Sequence, residues 1–268
     1  MTVLARTKVE LDAFKKSVGK GLLAFVPTMG AIHQGHLALV KHAQEIGDKT
    51  IVSIYVNPKQ FGPGEDFEAY PRSLKEDVVK LKTAKVDCIF APSDEVVYPK
   101  GAENTWAVKA DEGLAEILCG ANRKGHFDGV CTVVKRLLDL IDPNFMIMGE
   151  KDYQQLLIVK NMVAVNGMGV EGINSPTIRE PDGLAVSSRN QYLSKEERAK
   201  ANLMVKHMLL AKAEILGTAT KIEKILLNHK TALVNEGFEL EYMEIMFSRI
   251  FAAFRLGNTR LIDNISLR

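Results

Sequence analysis

Short apolar runs alternate with stretches of helical spacing through the first 165 residues, and this alternation constrains the fold more than any other feature. Leu22-Leu23-Ala24-Phe25-Val26 is closed by Pro27, and Ile51-Val52-Ser53-Ile54-Tyr55-Val56 by Asn57-Pro58. With Cys88-Ile89-Phe90-Ala91 and Phe145-Met146-Ile147-Met148, these read as buried strands. Trp106-Ala107-Val108 reads as a further, edge strand. Helices are expected from near His36, over 73–81 behind an S-x-x-E capping box at Ser73 and Glu76, over 130–141, and over 153–165. The 130–141 stretch repeats apolar residues at Val130, Val133, Val134, Leu137, Leu138 and Ile141 before Asp142-Pro143 ends it. Strands alternating with helices build βαβ units around a parallel sheet, so the fold class is α/β.

The pattern changes near Ser175-Pro176. A turn signal at Asp182-Gly183 and a capping box at Ser194 and Glu197 precede two long helical stretches, to about 216 and over 220–234. Strands are expected over 242–247 and 260–265. The organisation expected is a Rossmann-like, parallel-sheet nucleotide-binding domain over 1–177, followed by a small α+β domain over 178–268.

Charge excludes several partners. Lys plus Arg total 35 and Asp plus Glu 33, a net charge of +2, with no basic run, which argues against nucleic acid. Cys88, Cys119 and Cys131 form no C-x-x-C pair, so neither a disulfide framework nor a zinc knuckle is expected, and a reduced cytoplasmic setting fits. Residues 21–40 lack Asp, Glu, Lys and Arg, yet Pro27, Gly30, His33, Gln34, Gly35 and His36 interrupt any apolar span. A soluble chain without membrane partners is expected.

Ligands of open parallel sheets sit beyond the carboxyl ends of the strands. Four polar segments fall there or at the domain junction. Pro27 to His36 carries Gly30 and Gly35, which admit a ligand close to backbone N–H groups, and two histidines three apart at a helix start. The pair also suits helix capping. Zinc is the remaining option, without a third ligand at metal-site spacing nearby. Gly149-Glu150-Lys151-Asp152 offers a lysine to a phosphate and two carboxylates to ribose or magnesium, although Asp152 with Gln155 also has capping-box form. Val186-Ser187-Ser188-Arg189-Asn190 offers hydroxyls and a guanidinium on a loop, and Asn57 to Gly64 offers Gln60. The 57–72 loop carries three prolines and two glycines and is long enough to suggest a functional role.

Taken together, P-T-M-G-A-x-H-x-G-H at 27–36, N-P-x-Q-F-G at 57–62, D-F-x-A-Y-P-R at 66–72, G-H-F-D-G-V at 125–130, G-x-K-D-x-Q-Q at 149–155, R-E-x-D-G-L-A at 179–185 and S-S-R-N at 187–190 closely resemble the pantothenate synthetase family. R-L-I-D-N at 260–264 resembles its C-terminal strand. The chain departs from the family's usual residues at Cys119 and Lys124, while Arg123 matches a site position.

The resemblance implies ATP-dependent joining of (R)-pantoate to β-alanine through a pantoyl adenylate, as in pantothenate biosynthesis. It implies a Rossmann-like nucleotidyltransferase fold, magnesium accompanying ATP, and a homodimer. Met29, Gly30, Ala31, Ile32, His33, Gln34, Gly35 and His36 would line the ATP site. Gly149, Glu150, Lys151, Asp152, Ile178, Val186, Ser187, Ser188 and Arg189 would complete it. The catalytic set would be His36, His33, Lys151, Ser187, Ser188 and Arg189. Gln60 and Gln155 would hold pantoate, Gln60 would border β-alanine, and the second domain would act as a lid. Two other readings stay open: a related nucleotidyltransferase that adenylates a phosphate, disfavoured by the Gln60 and Gln155 pair, and a nucleotide-sensing module, disfavoured by His33, His36 and Lys151.

Overall fold

The apolar runs hydrogen-bond side by side into one sheet in a computed structural model, which describes residues 1–100 and 107–268. Strands β1 (Val3–Ala5), β2 (Leu23–Thr28), β3 (Lys49–Ile54), β4 (Cys88–Phe90), β5 (Phe145–Gly149) and β6 (Glu171–Ser175) lie in the order β1-β4-β3-β2-β5-β6, each pair parallel. The crossovers carry α1 (Lys8–Val18), α2 (Gln34–Ile46), α3 (Leu74–Thr83), the short α4 (Asp94–Val97), α5 (Glu112–Ala115) and α6 (Cys119–Asn122), then α7 (His126–Ile141) and α8 (Tyr153–Val165). This is the Rossmann-like α/β sheet that the alternation implied.

Burial explains why the runs are continuously apolar. Ala24, Val26, Val52, Ile89 and Ile147 share one buried cluster with Val40 and Ala43 of α2 and Leu81 of α3. The alternate residues Phe25, Ile51 and Met146 are also buried, so both sheet faces are covered. Each such large apolar side chain contributes about 1.5–3 kcal/mol.

Strand order reverses between β2 and β5, and Pro27 marks the place. The Leu22 and Thr28 carbonyls accept from Lys49 and Tyr55, so even-numbered residues of β2 bond toward β3. Leu23 bonds to Asn144, which puts Phe25 and Pro27 on the β5 side. Proline has no N–H to donate there. The β2–β5 ladder ends at Phe25 and Met146, while β2 continues beside β3 to Thr28 and Ile54. The two strands therefore part toward their carboxyl ends, opening the crevice where ligands of such sheets bind. Pro27 thus lies within the strand, whereas the sequence suggested that it would end one.

The chain divides into two units, Met1–Pro176 and Thr177–Arg268. In the second, α9 (Lys195–Ala201), α10 (Leu203–Gly217) and α11 (Ile222–Asn235) accompany an antiparallel sheet of β7 (Glu239–Met246), β8 (Arg249–Leu256) and β9 (Thr259–Ser266), ordered β7-β8-β9. Met204, Met208, Leu233, Phe238, Met243 and Phe254 form its core.

Several local expectations need correction. The helix expected to run to 216 breaks at Asn202 into α9 and α10. Ser194 and Glu197 do form a capping box, but the Ser73 side chain caps nothing, and neither does that of Asp152. The helix expected from Val130 begins at His126. Trp106 lies outside the described residues, and Ala107 and Val108 belong to no strand. Among the described residues no helix is long and apolar enough to cross a membrane.

Candidate active site

The loop leaving β2 is tied from behind. The Thr28 hydroxyl donates to the Ser53 carbonyl at 2.6 Å and accepts from Gly30 N–H at 3.2 Å. The Asp77 carboxyl, on α3 and 1% exposed, accepts from Ala31 N–H at 2.9 Å and Ile32 N–H at 2.7 Å. One turn later, Lys80 Nζ donates to the Ile32 carbonyl at 2.7 Å. The amides of residues 30, 31 and 32 are thus occupied within the protein, contrary to the expectation that Gly30 opens them to a ligand. Gly30 is needed for another reason. Its φ is +86°, and a Cβ there would lie 2.9 Å from Asp77 Oδ2.

The paired histidines follow at once. His33 caps α2, its Nδ1 accepting from His36 N–H at 3.4 Å, so helix capping and the candidate site coincide. The two rings stack with centroids 3.9 Å apart and an interplanar angle of 15°. Gly35 makes room for this, since a Cβ there would lie 2.9 Å from His33 Cε1. Burial, reinforced by the Lys151 charge, lowers the His33 pKa to about 4. Burial, with His33, Lys151 and Lys80 adding to it, lowers that of His36 to about 3. Both imidazoles are neutral at pH 7, and because His33 Nδ1 accepts, its proton sits on Nε2. His36 Nδ1 is shielded from solvent and has no hydrogen-bond partner among the described residues.

A pH dependence of stability follows from these shifts. Below about 6.5 the unfolded chain takes up protons that the folded pair refuses until about pH 4 and 3. The unfolded state then binds more protons, so stability is expected to fall as pH drops through this window. Urea midpoints at pH 7 and pH 5 check this, and a His33→Gln, His36→Gln double variant should lose part of the difference.

Gln60 sits in a one-turn 3-10 segment, Pro58–Gln60, pinned on several sides. Its Oε1 accepts from Asn57 Nδ2 at 3.1 Å, and its Nε2 contacts Met29 Sδ at 3.2 Å, joining this loop to the one after β2. Asn57 Nδ2 also donates to the Gly129 carbonyl, and Asn57 Oδ1 accepts from the Tyr98 hydroxyl at 2.8 Å. The Gln60 carbonyl lies 2.7 Å from His126 Nδ1. A Cβ on Gly129 would meet the Lys59 carbonyl oxygen at 2.2 Å, so only glycine lets α7 approach this turn. Arg123 pairs with both Glu65 oxygens at 2.6 Å and holds the Glu65 carboxyl at about 2, against a burial effect that acts to raise it.

Across the crevice, β5 ends in a 3-10 turn, Glu150–Asp152. Lys151 lies near enough to His33 and His36 to lower both. Glu150 Oε1 accepts from Asn174 Nδ2 at 3.5 Å. The adjacent glutamines diverge in role. Gln154 is buried, accepts from Cys119 N–H and donates to the Leu114 and Ile117 carbonyls, whereas Gln155 makes no side-chain hydrogen bond among the described residues. No group of three or more His, Cys, Asp or Glu suited to hold a metal occurs among them either.

The second unit gathers its own motif residues. Ile178 and Val186 meet through a backbone bond, Val186 N–H to Ile178 carbonyl at 3.0 Å, beside an antiparallel bridge of Arg179 and Ala185. Ser187 caps a 3-10 turn over Ser188–Tyr192 by accepting from Arg189 N–H. Arg179 forks onto the buried Asp263 on β9, with Nη1 at 2.5 Å and Nη2 at 3.0 Å, and also donates to Gly183. Two of the family-like motifs, R-E-x-D-G-L-A and R-L-I-D-N, are thus joined by one ion pair.

Asp77, Lys80 and Tyr98 lie outside every motif and polar segment that the sequence singles out, while Gly129 falls in the G-H-F-D-G-V motif without a role assigned to it. An acidic residue in a helix's first turn and a lysine one turn on are ordinary, and no local pattern announces that they grip a loop some 45 positions earlier.

Known proteins agree with this arrangement along the whole chain. The model of the family described as pantoate-beta-alanine ligase matches residues 3–266. A pantothenate synthetase from Acidithiobacillus ferrooxidans is 44% identical over 91% of this chain and 92% of its own length. The crystal structure of pantothenate synthetase from Thermus thermophilus superposes with a TM-score of 0.91 at 40% identity, covering 99% of each chain. That of pantoate-beta-alanine ligase from Francisella tularensis, complexed with beta-gamma ATP and beta-alanine, gives a TM-score of 0.86 at 35% identity over 100% of this chain and 98% of that one. With a parallel sheet parted at its switch point, an H-x-G-H turn on one lip and a lysine turn on the other, this chain belongs to the pantoate-beta-alanine ligase family.

Proposed function

We propose that this chain condenses (R)-pantoate with β-alanine, using ATP and releasing AMP and diphosphate. The observation that carries this reading is the convergence of the stacked His33 and His36 with Lys151 at the parting of β2 and β5. A carboxylate oxygen of pantoate attacks the α-phosphorus, and the bond to the bridging oxygen of diphosphate breaks. The β-alanine amine then attacks the acyl carbon, the C–O bond to AMP breaks, and the amine's surplus proton passes to solvent.

Each residue type suits its step. The barrier to adenylation is the crowding of anions, which positioned donors lower without covalent catalysis. His36 and His33, neutral and rigidly stacked, donate N–H to phosphate oxygens, and Lys151 supplies positive charge. The segment Met29, Gly30, Ala31, Ile32, His33, Gln34, Gly35 and His36 lines the nucleotide on one side, and Gly149, Glu150, Lys151 and Asp152 on the other. Gln60, its oxygen engaged by Asn57 and one N–H directed at Met29 Sδ, keeps its second N–H for an oxygen of pantoate and borders β-alanine, while Gln155 is the second pantoate ligand. In the second unit, Ser187, Ser188 and Arg189 are assigned to the phosphates, supported by the S-S-R-N match, and Ile178 and Val186, which flank the matched segments and bond to each other, to the nucleotide.

Magnesium fits as a passenger on the phosphates, since the described residues form no protein cage but the Glu150 and Asp152 carboxyls stand at the same turn. Bound there, it would offset the charge of the departing diphosphate. A cytoplasmic homodimer completes the reading.

The test is AMP release from purified protein with ATP, magnesium, pantoate and β-alanine. Release that requires pantoate is expected, and release indifferent to it would remove the assignment. Gln60→Ala should raise the KM for pantoate at least tenfold while the KM for ATP moves by less than threefold, and the opposite order would reassign this glutamine.

A further inference from the structure

We propose that Asp77 and Lys80 are positioning residues of the reaction, holding the turn at 29–32 so that the two imidazoles stay stacked and aimed at the nucleotide. The inference deepens the reading above and rests on it. Asp77 Oδ1 and Oδ2 take the N–H groups of Ile32 and Ala31, and Lys80 takes the Ile32 carbonyl, so three backbone groups of two consecutive residues are gripped from α3. The grip lies one residue before His33. It fixes the chain's entry into the α2 cap, and with it the capping geometry that sets the His33 ring against His36.

The backbone there is not at rest by itself. Ala31 has φ +49°, a left-handed conformation that side-chain-bearing residues rarely adopt and that persists only where surroundings enforce it. Asp77 supplies that enforcement, and Gly30 is the residue whose missing Cβ lets its carboxyl come so close. A carboxyl this deeply buried, with both oxygens engaged by a neighbouring loop, is costly as mere packing. The loop it holds carries the site.

Asp77→Asn is the discriminating variant. The amide has the carboxyl's shape, yet it presents one acceptor and one donor, so either Ala31 or Ile32 N–H faces a second N–H. Lys80→Met, which keeps the methylene packing and removes the donor, provides an independent arm. For each folded variant, the kcat for AMP release is expected to fall at least tenfold while the KM for pantoate changes by less than threefold. In the NMR pH titration of imidazole Cε1–H signals of Asp77→Asn, the His33 and His36 midpoints should move up toward 6.5 as water enters the loosened turn; Lys80→Met is not read this way, because the Lys80 charge itself lowers both. His36→Ala is run alongside. A kcat within twofold of the parent in both Asp77→Asn and Lys80→Met, with His36→Ala inactive, overturns the positioning role alone. If His36→Ala stays active, the reading of the site itself fails. Lowered thermal stability with unchanged kcat and unchanged imidazole titration would show that α3 merely packs, and would also overturn the proposal.

Discussion

Replacing His36 by alanine is expected to slow pantoate-dependent AMP release by about a hundredfold to a thousandfold, the loss of about 2.7–4 kcal/mol of transition-state stabilisation typical of one preorganised donor. The magnitude rests on rigidity. His36 stacks on His33 at 3.9 Å, and its ring is kept neutral by burial, so no reorganisation or proton uptake precedes its donation. The loss should fall on kcat, because the interaction strengthens as charge accumulates on the phosphates. Folding should change little, since the substitution removes a buried nitrogen that already lacks a partner. Initial rates at saturating ATP and pantoate measure it, and a rate within threefold of the parent would take His36 out of the chemistry. His33→Ala combined with His36→Ala should cost less than the product of the single effects, because stacked groups act as one unit.

The stability of the second unit involves a different pair. Arg179→Leu is expected to destabilise the second unit by about 3–5 kcal/mol, since it leaves the Asp263 carboxyl buried without its bidentate partner. Arg179 also donates to Gly183, so the 178–186 hairpin that joins Ile178 to Val186 should loosen with it. Lysine at the same position keeps the charge but not the fork and should recover only part of the loss. Changing both partners, Arg179→Leu with Asp263→Leu, should cost less than Arg179→Leu alone, because no buried charge is then left unpaired and only the Asn264 N–H and the Gly183 carbonyl lose a partner. Urea unfolding of the three variants decides the matter. A midpoint for Arg179→Leu equal to that of the parent would show the pair to be incidental.

What the sequence disclosed and concealed follows physical lines. The four apolar strands were legible because burial on both faces demands unbroken apolar runs, and the α2 start was legible from its glycines and histidines. Strand β6 was not, because Glu171-Gly172-Ile173-Asn174-Ser175 is an edge strand with a single large apolar residue. Strand β8 was hidden by its turn. Phe247 and Ser248 both adopt positive φ, 50° and 55°, in a β7–β8 hairpin that ordinarily calls for Asn-Gly. Without that signal, Arg249–Leu256 stood as an unassigned apolar stretch. The residues expected to touch ligand were readable as motifs. Those that hold them, Asp77 and Lys80 above all, were not, since their partners lie 45 to 48 positions away in the chain.

The proline in β2 bears on how substrates enter. Because the missing donor at residue 27 faces β5, the gap between these strands is written into covalent structure and needs no guest to wedge it apart. On the proposed reading, substrates would meet a doorway already ajar, leaving the free energy of their binding for aligning the reacting atoms instead of prying the sheet open.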